Sequence, residues 1–184
     1  MSPSPTRTAT SPRAPSAAPT LRVPTVTDGA AIHQIAERSR VLDVNSGYAY
    51  VLWCHDFADT SVVAEIEGTP VGFVTGYRRP DDPATLMVWQ VATGESYRGL
   101  GIAAAMLHHL LDRTAAQGVS RLQTTISPDN PASQRLFAAV AAQRGLRFSR
   151  RDLFAADLFP DSHQPEDLYT LEPDGFDSTT DATS

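Results

Sequence analysis

Three short stretches of this sequence combine acidic, amide and aromatic side chains. The stretch 42–50 carries an acid, an amide and two phenols, 88–91 carries an indole and an amide, and 163–169 carries two acids. Carboxylates bind cations and take protons from them, whereas an indole supplies an apolar wall. Each stretch also has an ordinary explanation, as a helix cap, a core aromatic residue or solvated loop charges. The acids would suit a small cationic molecule if they face a common site.

A glycine-bearing turn lies between a strand pattern and a helix pattern. It has the spacing Arg98-x-x-Gly101-x-Ala103, and an amphipathic helix is predicted over 103–117. Such a turn points unpaired backbone N–H groups and the positive end of the helix dipole at one place, which favours a phosphorylated ligand. Neither a Rossmann fingerprint nor a Walker loop can be written here, and all 15 basic residues are arginine. An ordinary strand–turn–helix is the alternative.

A second motif follows the helix. A strand is predicted over 121–127, and Asp129 or Asn130 is placed to cap the next helix, with Pro131 in its first turn. The spacing N-x-x-[AS]-x-x-L-[YF] runs from Asn130 to Phe137. Together the two motifs resemble the pyrophosphate-binding turn and the second element of the GNAT-superfamily N-acetyltransferases, which hold acetyl-CoA.

The order of elements agrees with that resemblance. Alternation and helical spacing predict β-α-α-β-β-β-α-β-α-β-β. Strands are predicted at 21–26, 60–67, 71–77, 85–93, 121–127, 146–153 and 168–171, and helices after Thr27-Asp28, at 48–57, at 103–117 and after Pro131. A hairpin turn is predicted at 68–70. The resemblance implies a single α/β domain of the GNAT type, with helices flanking a mixed, mostly antiparallel central sheet whose central strands splay apart.

The resemblance also implies which residues hold acetyl-CoA. Val91 and Thr93 offer main-chain contacts, and Asn130 contacts the pantetheine arm. The turn that takes the pyrophosphate consists of Arg98, Gly99, Leu100, Gly101, Ile102 and Ala103. Phe137 belongs to the same cofactor set, at a position where many of these enzymes carry a tyrosine that protonates the leaving thiolate.

Longer runs carry a more specific resemblance. The segments LDVNSGYAYVLWCHDFADTSVVAE, VGFVTGY, VWQVA, TTISPDNPASQRLF and H-x-x-E-D-L-Y resemble the L-2,4-diaminobutyrate N-γ-acetyltransferases, the acetylating enzymes of ectoine biosynthesis. The resemblance covers about residues 21–171. It implies that the acceptor is a small diamine that carries one carboxylate. Since Cys54 is the only thiol and no Ser–His–Asp arrangement is visible, we predict direct acetyl transfer in a ternary complex.

The same resemblance implies the acceptor pocket. Its residues are Asp43, Asn45, Tyr48, Trp89, Gln90 and Glu166. Asp43 and Glu166 pair with the amino groups, and one of them is the candidate base. Tyr48 donates to the carboxylate, and Trp89 shapes the apolar wall.

Composition and charge indicate the domain boundaries and exclude several classes of function. We expect a tail over 1–20 that is rich in Pro, Ser, Thr and Ala, an acetyltransferase domain over 21–172 and an acidic tail over 173–184, both tails being disordered. Residues 152–184 hold nine acids and no arginine, which argues against binding to nucleic acid. No window suits a membrane span and no secretory signal is visible. Cys54, the only cysteine, predicts a buried core thiol and a reducing cytoplasm.

No metal site is expected, because the adjacent His108 and His109 point to different faces of a helix. The resemblance implies a homodimer. Two alternatives stay open: acetylation of another small amine or of a peptide N-terminus, and a non-catalytic acetyl-CoA sensor, which Phe137 favours.

Overall fold

A seven-stranded sheet forms the centre of the molecule in the computed structural model, which describes residues 18–39, 42–160 and 164–175. The strands are β1 Thr20–Arg22, β2 Val62–Ile66, β3 Thr69–Arg78, β4 Thr85–Thr93, β5 Arg121–Ile126, β6 Arg147–Phe154 and β7 Glu166–Glu172. The helices are α1 Gly29–Ser39, α2 Gly47–Asp56, α3 Ile102–Ala115 and α4 Pro131–Arg144. The strand order is β1-β2-β3-β4-β5-β7-β6, and only β4 and β5 pair in parallel. The predicted mixed, mostly antiparallel sheet is confirmed. The predicted tails lie mainly at 1–17 and 176–184, outside the described residues.

The helices cover opposite faces of the sheet. On β2, Val62 and Ala64 belong to one apolar core with α3 and α4, whereas Val63 between them belongs to a second core with α1 and α2. Successive side chains of a strand point to opposite faces, so the two helix pairs lie on the two sides of the sheet.

Two predicted boundaries are wrong for local reasons. The first strand ends at Arg22 rather than at residue 26, because the Arg22 guanidinium binds both carboxylate oxygens of Asp28 at 2.8 Å. A capping box between Thr25 and Asp28 then starts a 3₁₀ turn that leads directly into α1, so Thr25 caps this turn rather than Thr27 or Asp28. The hydrogen bonds from the Arg22 guanidinium hold the pKa of the Asp28 carboxyl below its usual value.

The hairpin turn also differs from its prediction. Glu67 and Gly68 have φ of 51° and 77°, so these two residues form the turn, and Thr69 and Pro70 already belong to β3. Two-residue hairpin loops favour positive φ at both positions, and the Gly68 position suits glycine. The other elements begin and end within a few residues of their predicted bounds.

The central strands separate, as the resemblance implied. Pairing between β4 and β5 runs from Thr85–Arg121 to Val88–Thr124 and ends there. Beyond this point β4 continues along β3 to Thr93, and β5 continues along β7 to Ile126. The two strands therefore leave a gap in the sheet at their carboxyl ends.

Candidate active site

A β-bulge on β4 lies in one wall of this gap. Thr75 pairs with Gln90 and the next residue, Gly76, pairs with Val88, so Trp89 is an extra residue without a partner on β3. A Cβ on Gly76 would lie 2.8 Å from a carbonyl oxygen of β4, so only glycine fits opposite the bulge.

The bulge changes which way the strand faces. Before it, Val88 belongs to the core under α3 and α4; after it, Ala92 belongs to the core under α1 and α2. Regular alternation would put both residues on the same side. The reversal puts Gln90 on the same side as its neighbour Trp89, that of α1 and α2, where the contacts of both lie.

A cavity of about 430 Å³ occupies the gap. The connection between α1 and α2, both splayed strands, the start of α4 and the β6–β7 connection contribute to its lining. Predicted site residues that the structure brings together here are Asp43, Trp89, Gln90, Val91, Asn130, Phe137 and Glu166. Members of both predicted groups, acceptor and cofactor, therefore line one space.

The described lining of the cavity is acidic. Asp43, Asp129 and Glu166 contribute carboxylates, and no arginine or histidine occurs among the described lining residues. The hydroxyl of Ser127 donates to Asp129 at 2.7 Å. A field of one sign in a recess concentrates ligands of the opposite charge, so the cavity is suited to an ammonium group.

Two side chains hold the segment that carries Asp43. The Gln90 amide, 6% exposed, donates to the backbone carbonyl of Asp43 at 2.8 Å. The Arg98 guanidinium donates to the backbone carbonyl of Ser39, at the end of α1, at 2.9 Å. Gln90 is predicted to contact the acceptor and Arg98 the cofactor. In the structure both side chains bind the connection between α1 and α2, called the acceptor-side loop below. Gln90 fastens this loop to β4, and Arg98 fastens it to the turn that follows β4.

Trp89 is held by aromatic packing. Its side chain lines the cavity and is 49% exposed, and its ring lies edge-on to that of Trp53, with centroids 4.7 Å apart. Trp53 belongs to α2 and also contacts Phe57 and Tyr77. Edge-to-face aromatic pairs contribute roughly 0.5–1.5 kcal/mol beyond buried area.

The predicted diphosphate turn leaves β4 directly beyond the cavity. Gly99 and Gly101 adopt φ of 76° and 77°, conformations that favour glycine, and a Cβ at either position would meet open space. Helix α3 starts at Ile102 without a side-chain cap, and Arg98 to Gly101 are exposed. The first N–H groups of the helix therefore face outward at an accessible helix start. Thr93 and the turn adjoin the cavity but do not line it.

The second motif supplies the opposite wall. Of the two predicted caps, Asn130 rather than Asp129 caps α4, by accepting a hydrogen bond from the Ser133 N–H at 3.1 Å. Its amide NH₂ takes no part in that bond and can donate to a ligand. Phe137, 1% exposed, brings a ring without a hydroxyl to the lining.

Two predicted acceptor residues lie outside the cavity. Tyr48 is 74% exposed and Asn45 is half-buried, with its backbone N–H donating to the Tyr50 hydroxyl at 3.4 Å. Neither lines the space, and their roles stay predictions.

Other residues of the lining were missed by sequence reasoning. They are Leu42, Thr124, Thr125, Ile126, Ser127, Asp129, Ser133, Phe154, Phe159 and Gln164. Alternation on β5 would have pointed to Thr125, which faces away from the core residues Leu122 and Ile126. Nothing in the sequence pattern singled out Phe154, because its place follows from the pairing of β6 with β7.

Cys54 is a core thiol, as predicted. It is 3% exposed within the core under α1 and α2, and burial raises the pKa of its thiol to about 11. A thiol in this state is a poor nucleophile at neutral pH. Within the described part of the chain, no helix combines the length and apolar character needed to cross a membrane, and no three metal-binding side chains cluster.

Comparison with known proteins agrees with this geometry. The profile of the acetyltransferase (GNAT) family matches residues 30–141. L-2,4-diaminobutyric acid acetyltransferases from Nocardia farcinica and Streptomyces coelicolor are each 56% identical over 153 residues, covering 83% and 82% of this chain and 79% and 90% of those proteins.

Solved structures show the same relationship. Diaminobutyrate acetyltransferase EctA from Paenibacillus lautus, in complex with its substrate L-2,4-diaminobutyric acid and coenzyme A, is 39% identical with a TM-score of 0.81, over 85% of this chain and 95% of that one. Ard1 from Thermoplasma volcanium, 18% identical with a TM-score of 0.66 over 84% of this chain and 96% of its own, shares the fold. This chain belongs to the GNAT acetyltransferases and, within them, to the L-2,4-diaminobutyric acid acetyltransferase family.

Proposed function

We propose that this chain transfers the acetyl group of acetyl-CoA to the γ-amino group of L-2,4-diaminobutyrate, giving N4-acetyl-L-2,4-diaminobutyrate for ectoine biosynthesis. The names of the relatives and the ligands of the Paenibacillus lautus structure support the substrate and the co-substrate. One observation of this chain carries the proposal: an acidic cavity in the gap between β4 and β5 joins the acceptor-side loop to the start of α4.

The acceptor explains the chemistry of the lining. At neutral pH diaminobutyrate carries two ammonium groups and one carboxylate. Asp43 and Glu166 bind the ammonium groups, and the Trp89 indole packs against the short methylene chain. Neutral donors of the lining, including Thr125 and Gln164, suit the substrate carboxylate better than the acids do.

The cofactor occupies the other side of the gap. Backbone groups of Val91 and Thr93 lie on the part of β4 that β5 no longer pairs, so they are available to the pantetheine amides. The N–H groups of the turn 98–103 bind the diphosphate, because the start of a helix attracts anions. Asn130 donates its free amide hydrogens to the pantetheine arm.

The reaction is a direct attack in a ternary complex. An aliphatic amine with a pKa of about 10 must first lose a proton, and Glu166 or Asp43 accepts it directly or through water. The neutral nitrogen attacks the thioester carbonyl carbon, and the oxyanion forms beside backbone donors of the gap. The nitrogen then loses its second proton to water, the oxyanion collapses to the amide carbonyl, and the C–S bond breaks to release the CoA thiolate. Phe137 cannot protonate the thiolate, but a thiol with a pKa of about 8.5 is a tolerable leaving group. Cys54 is buried with a raised pKa, so its thiol is a poor candidate for forming an acyl-enzyme.

A thiol-release assay tests the proposal. Purified protein with acetyl-CoA is offered diaminobutyrate, 2,3-diaminopropionate, ornithine, a peptide with a free N-terminus, or buffer, and the product is identified by NMR. We expect diaminobutyrate to lead in kcat/KM by about tenfold or more, because one methylene changes discrimination by roughly 10–200-fold, with acetylation on the γ-nitrogen. Preference for the peptide, or CoA binding without turnover, would instead establish one of the two alternative functions.

We also propose that the chain acts in the cytoplasm and as a homodimer. A lone buried Cys54 suits a reducing compartment, which also supplies acetyl-CoA. The homodimer rests on the family resemblance. Analytical ultracentrifugation at micromolar concentration tests the dimer, and cell fractionation tests the compartment.

A further inference from the structure

Trp53 lies behind the acceptor cavity without lining it. It is 7% exposed, and its ring packs against three others, those of Phe57 at 4.5 Å, Trp89 at 4.7 Å and Tyr77 at 6.2 Å between centroids. These partners come from the segment after α2, from β4 and from β3. A buried ring that packs against three other rings has little freedom to turn.

Trp89 depends on that ring for its position. It is the extra residue of the bulge, so it has no partner on β3, and it lines the cavity while remaining half exposed. Trp53 supplies the one ring contact recorded for Trp89 among the described residues. The contact with Trp53 of α2 therefore sets the orientation of the exposed Trp89 indole.

We propose that Trp53 is the positioning residue that sets the chain length of the accepted diamine, by holding the Trp89 indole at a fixed depth in the cavity. This inference rests on the proposed function, in which the amino acid chain packs against Trp89. A methylene more or less displaces the reacting nitrogen from the thioester carbon, and such displacement lowers the rate steeply. If the Trp89 indole can move, a longer chain also fits with its nitrogen at the thioester carbon, and the selectivity for the shorter acceptor is lost.

The first test compares two acceptors that differ by one methylene. In Trp53→Leu we expect the ratio of kcat/KM for diaminobutyrate to that for ornithine to fall about tenfold, through a smaller penalty on ornithine together with a higher KM for diaminobutyrate. Trp53→Phe keeps a ring and should lose about threefold. The KM for acetyl-CoA should stay within twofold in both variants, since the ring contacts of Trp53 within the described residues are with Phe57, Tyr77 and Trp89, none of them in the cofactor set.

A matched control removes an aromatic pair elsewhere. Phe148 stacks on Tyr169 with centroids 5.4 Å apart, and neither residue lines the acceptor cavity. Phe148→Leu should leave the acceptor ratio unchanged while lowering stability. An equal change of the ratio in Phe148→Leu, or an unchanged ratio in a folded Trp53→Leu protein, would overturn the inference.

Fluorescence gives a second measurement that remains available if Trp53→Leu does not fold. The chain has two tryptophans, and both belong to this pair. Trp53→Phe leaves Trp89 as the only tryptophan, so its emission should change as diaminobutyrate fills the cavity in the presence of CoA, with half-saturation at about threefold higher concentration than in the wild type. Identical half-saturation and an identical acceptor ratio in this variant would overturn the role of Trp53.

The proposed function can fail separately. If the wild type prefers a different amine, the same variants are tested with that amine and its homologue one methylene longer. A fall in their ratio supports the role of Trp53 although diaminobutyrate is not the substrate, and a constant ratio overturns it.

Discussion

Two cavities of nearly equal volume, about 430 and 410 Å³, differ completely in charge. The first lies in the gap between β4 and β5, and its described lining carries three carboxylates and no arginine. The second lies over β5, β7 and β6, and its described lining includes Arg121, Arg147, Arg150 and Arg151 with Glu172 as the one acid.

The second cavity balances much of its charge by itself. Arg121 pairs with Glu172 at 2.8 Å, Arg147 pairs with the other oxygen of the same carboxylate, and Arg150 pairs with Asp167 at 2.9 Å. The Glu172 side chain is 4% exposed, so this network joins β5, β6 and β7 from within. Volume alone thus does not separate the two cavities: the second carries its own counter-charges, whereas the described lining of the first has one sign and suits a cationic ligand.

The largest effect should come from neutralising an acid of the first cavity. In Glu166→Gln we expect kcat/KM for diaminobutyrate to fall at least a hundredfold, because general-base catalysis contributes about 10²–10⁴-fold. The Kd of CoA, measured by calorimetry, should change less than twofold. Glu67→Gln, an exposed turn residue, is the control. A loss below tenfold would remove Glu166 as the base and leave Asp43.

Neutralising the acid of the second cavity should affect stability instead. Glu172→Gln removes the carboxylate that Arg121 and Arg147 share, although Arg121 still pairs with Asp82 at 3.1 Å. We expect the free energy of unfolding in urea to fall by about 2 kcal/mol, since hydrogen bonds to charged groups contribute roughly 1.5–3 kcal/mol. Activity below the unfolding transition should stay within twofold of the wild type. A large loss of kcat with unchanged stability would mean that the arginine-lined cavity takes part in the reaction.

A smaller effect should follow from releasing the acceptor-side loop. Gln90→Leu removes the donor to the Asp43 carbonyl, and we expect the KM for the acceptor to rise about tenfold, equivalent to about 1.4 kcal/mol, with little change for acetyl-CoA. Gln123→Leu is the matched control, because its amide belongs to the second cavity. If the acceptor KM rose equally in both variants, Gln90 would have no special link to the loop.

The smallest effect on activity should come from the thiol. Cys54→Ala should keep kcat/KM within about threefold, and native wild type should react slowly with iodoacetamide. Because burial raises the pKa of the thiol from its ordinary 9.0 to about 11, the unfolded state loses this proton first. The wild type should therefore lose stability between pH 9 and 11 more than Cys54→Ala does. Equal pH dependence of the two proteins in urea unfolding would contradict this assignment.

Local patterns predicted the elements well. β4 has the predicted bounds, Asn130 caps α4, and Cys54 lies in a core. These features depend on neighbouring residues, on alternation and on simple burial, which a sequence displays directly.

The rest of the site depends on contacts between distant parts of the chain. The bulge at Trp89 appears only when β4 is aligned with β3. The amide of Gln90 finds its acceptor at Asp43, 47 residues away. Sequence reasoning therefore named seven residues that line the cavity, but it did not foresee the bonds by which Gln90 and Arg98 hold the acceptor-side loop.

The gap between β4 and β5 has a further consequence for turnover. The connection between α1 and α2 lines it from one face of the sheet and α4 lines it from the other, so in the proposed reaction the acceptor and acetyl-CoA approach from opposite faces. The acetylated amino acid and free CoA can then dissociate from opposite faces, so neither product has to leave before the other.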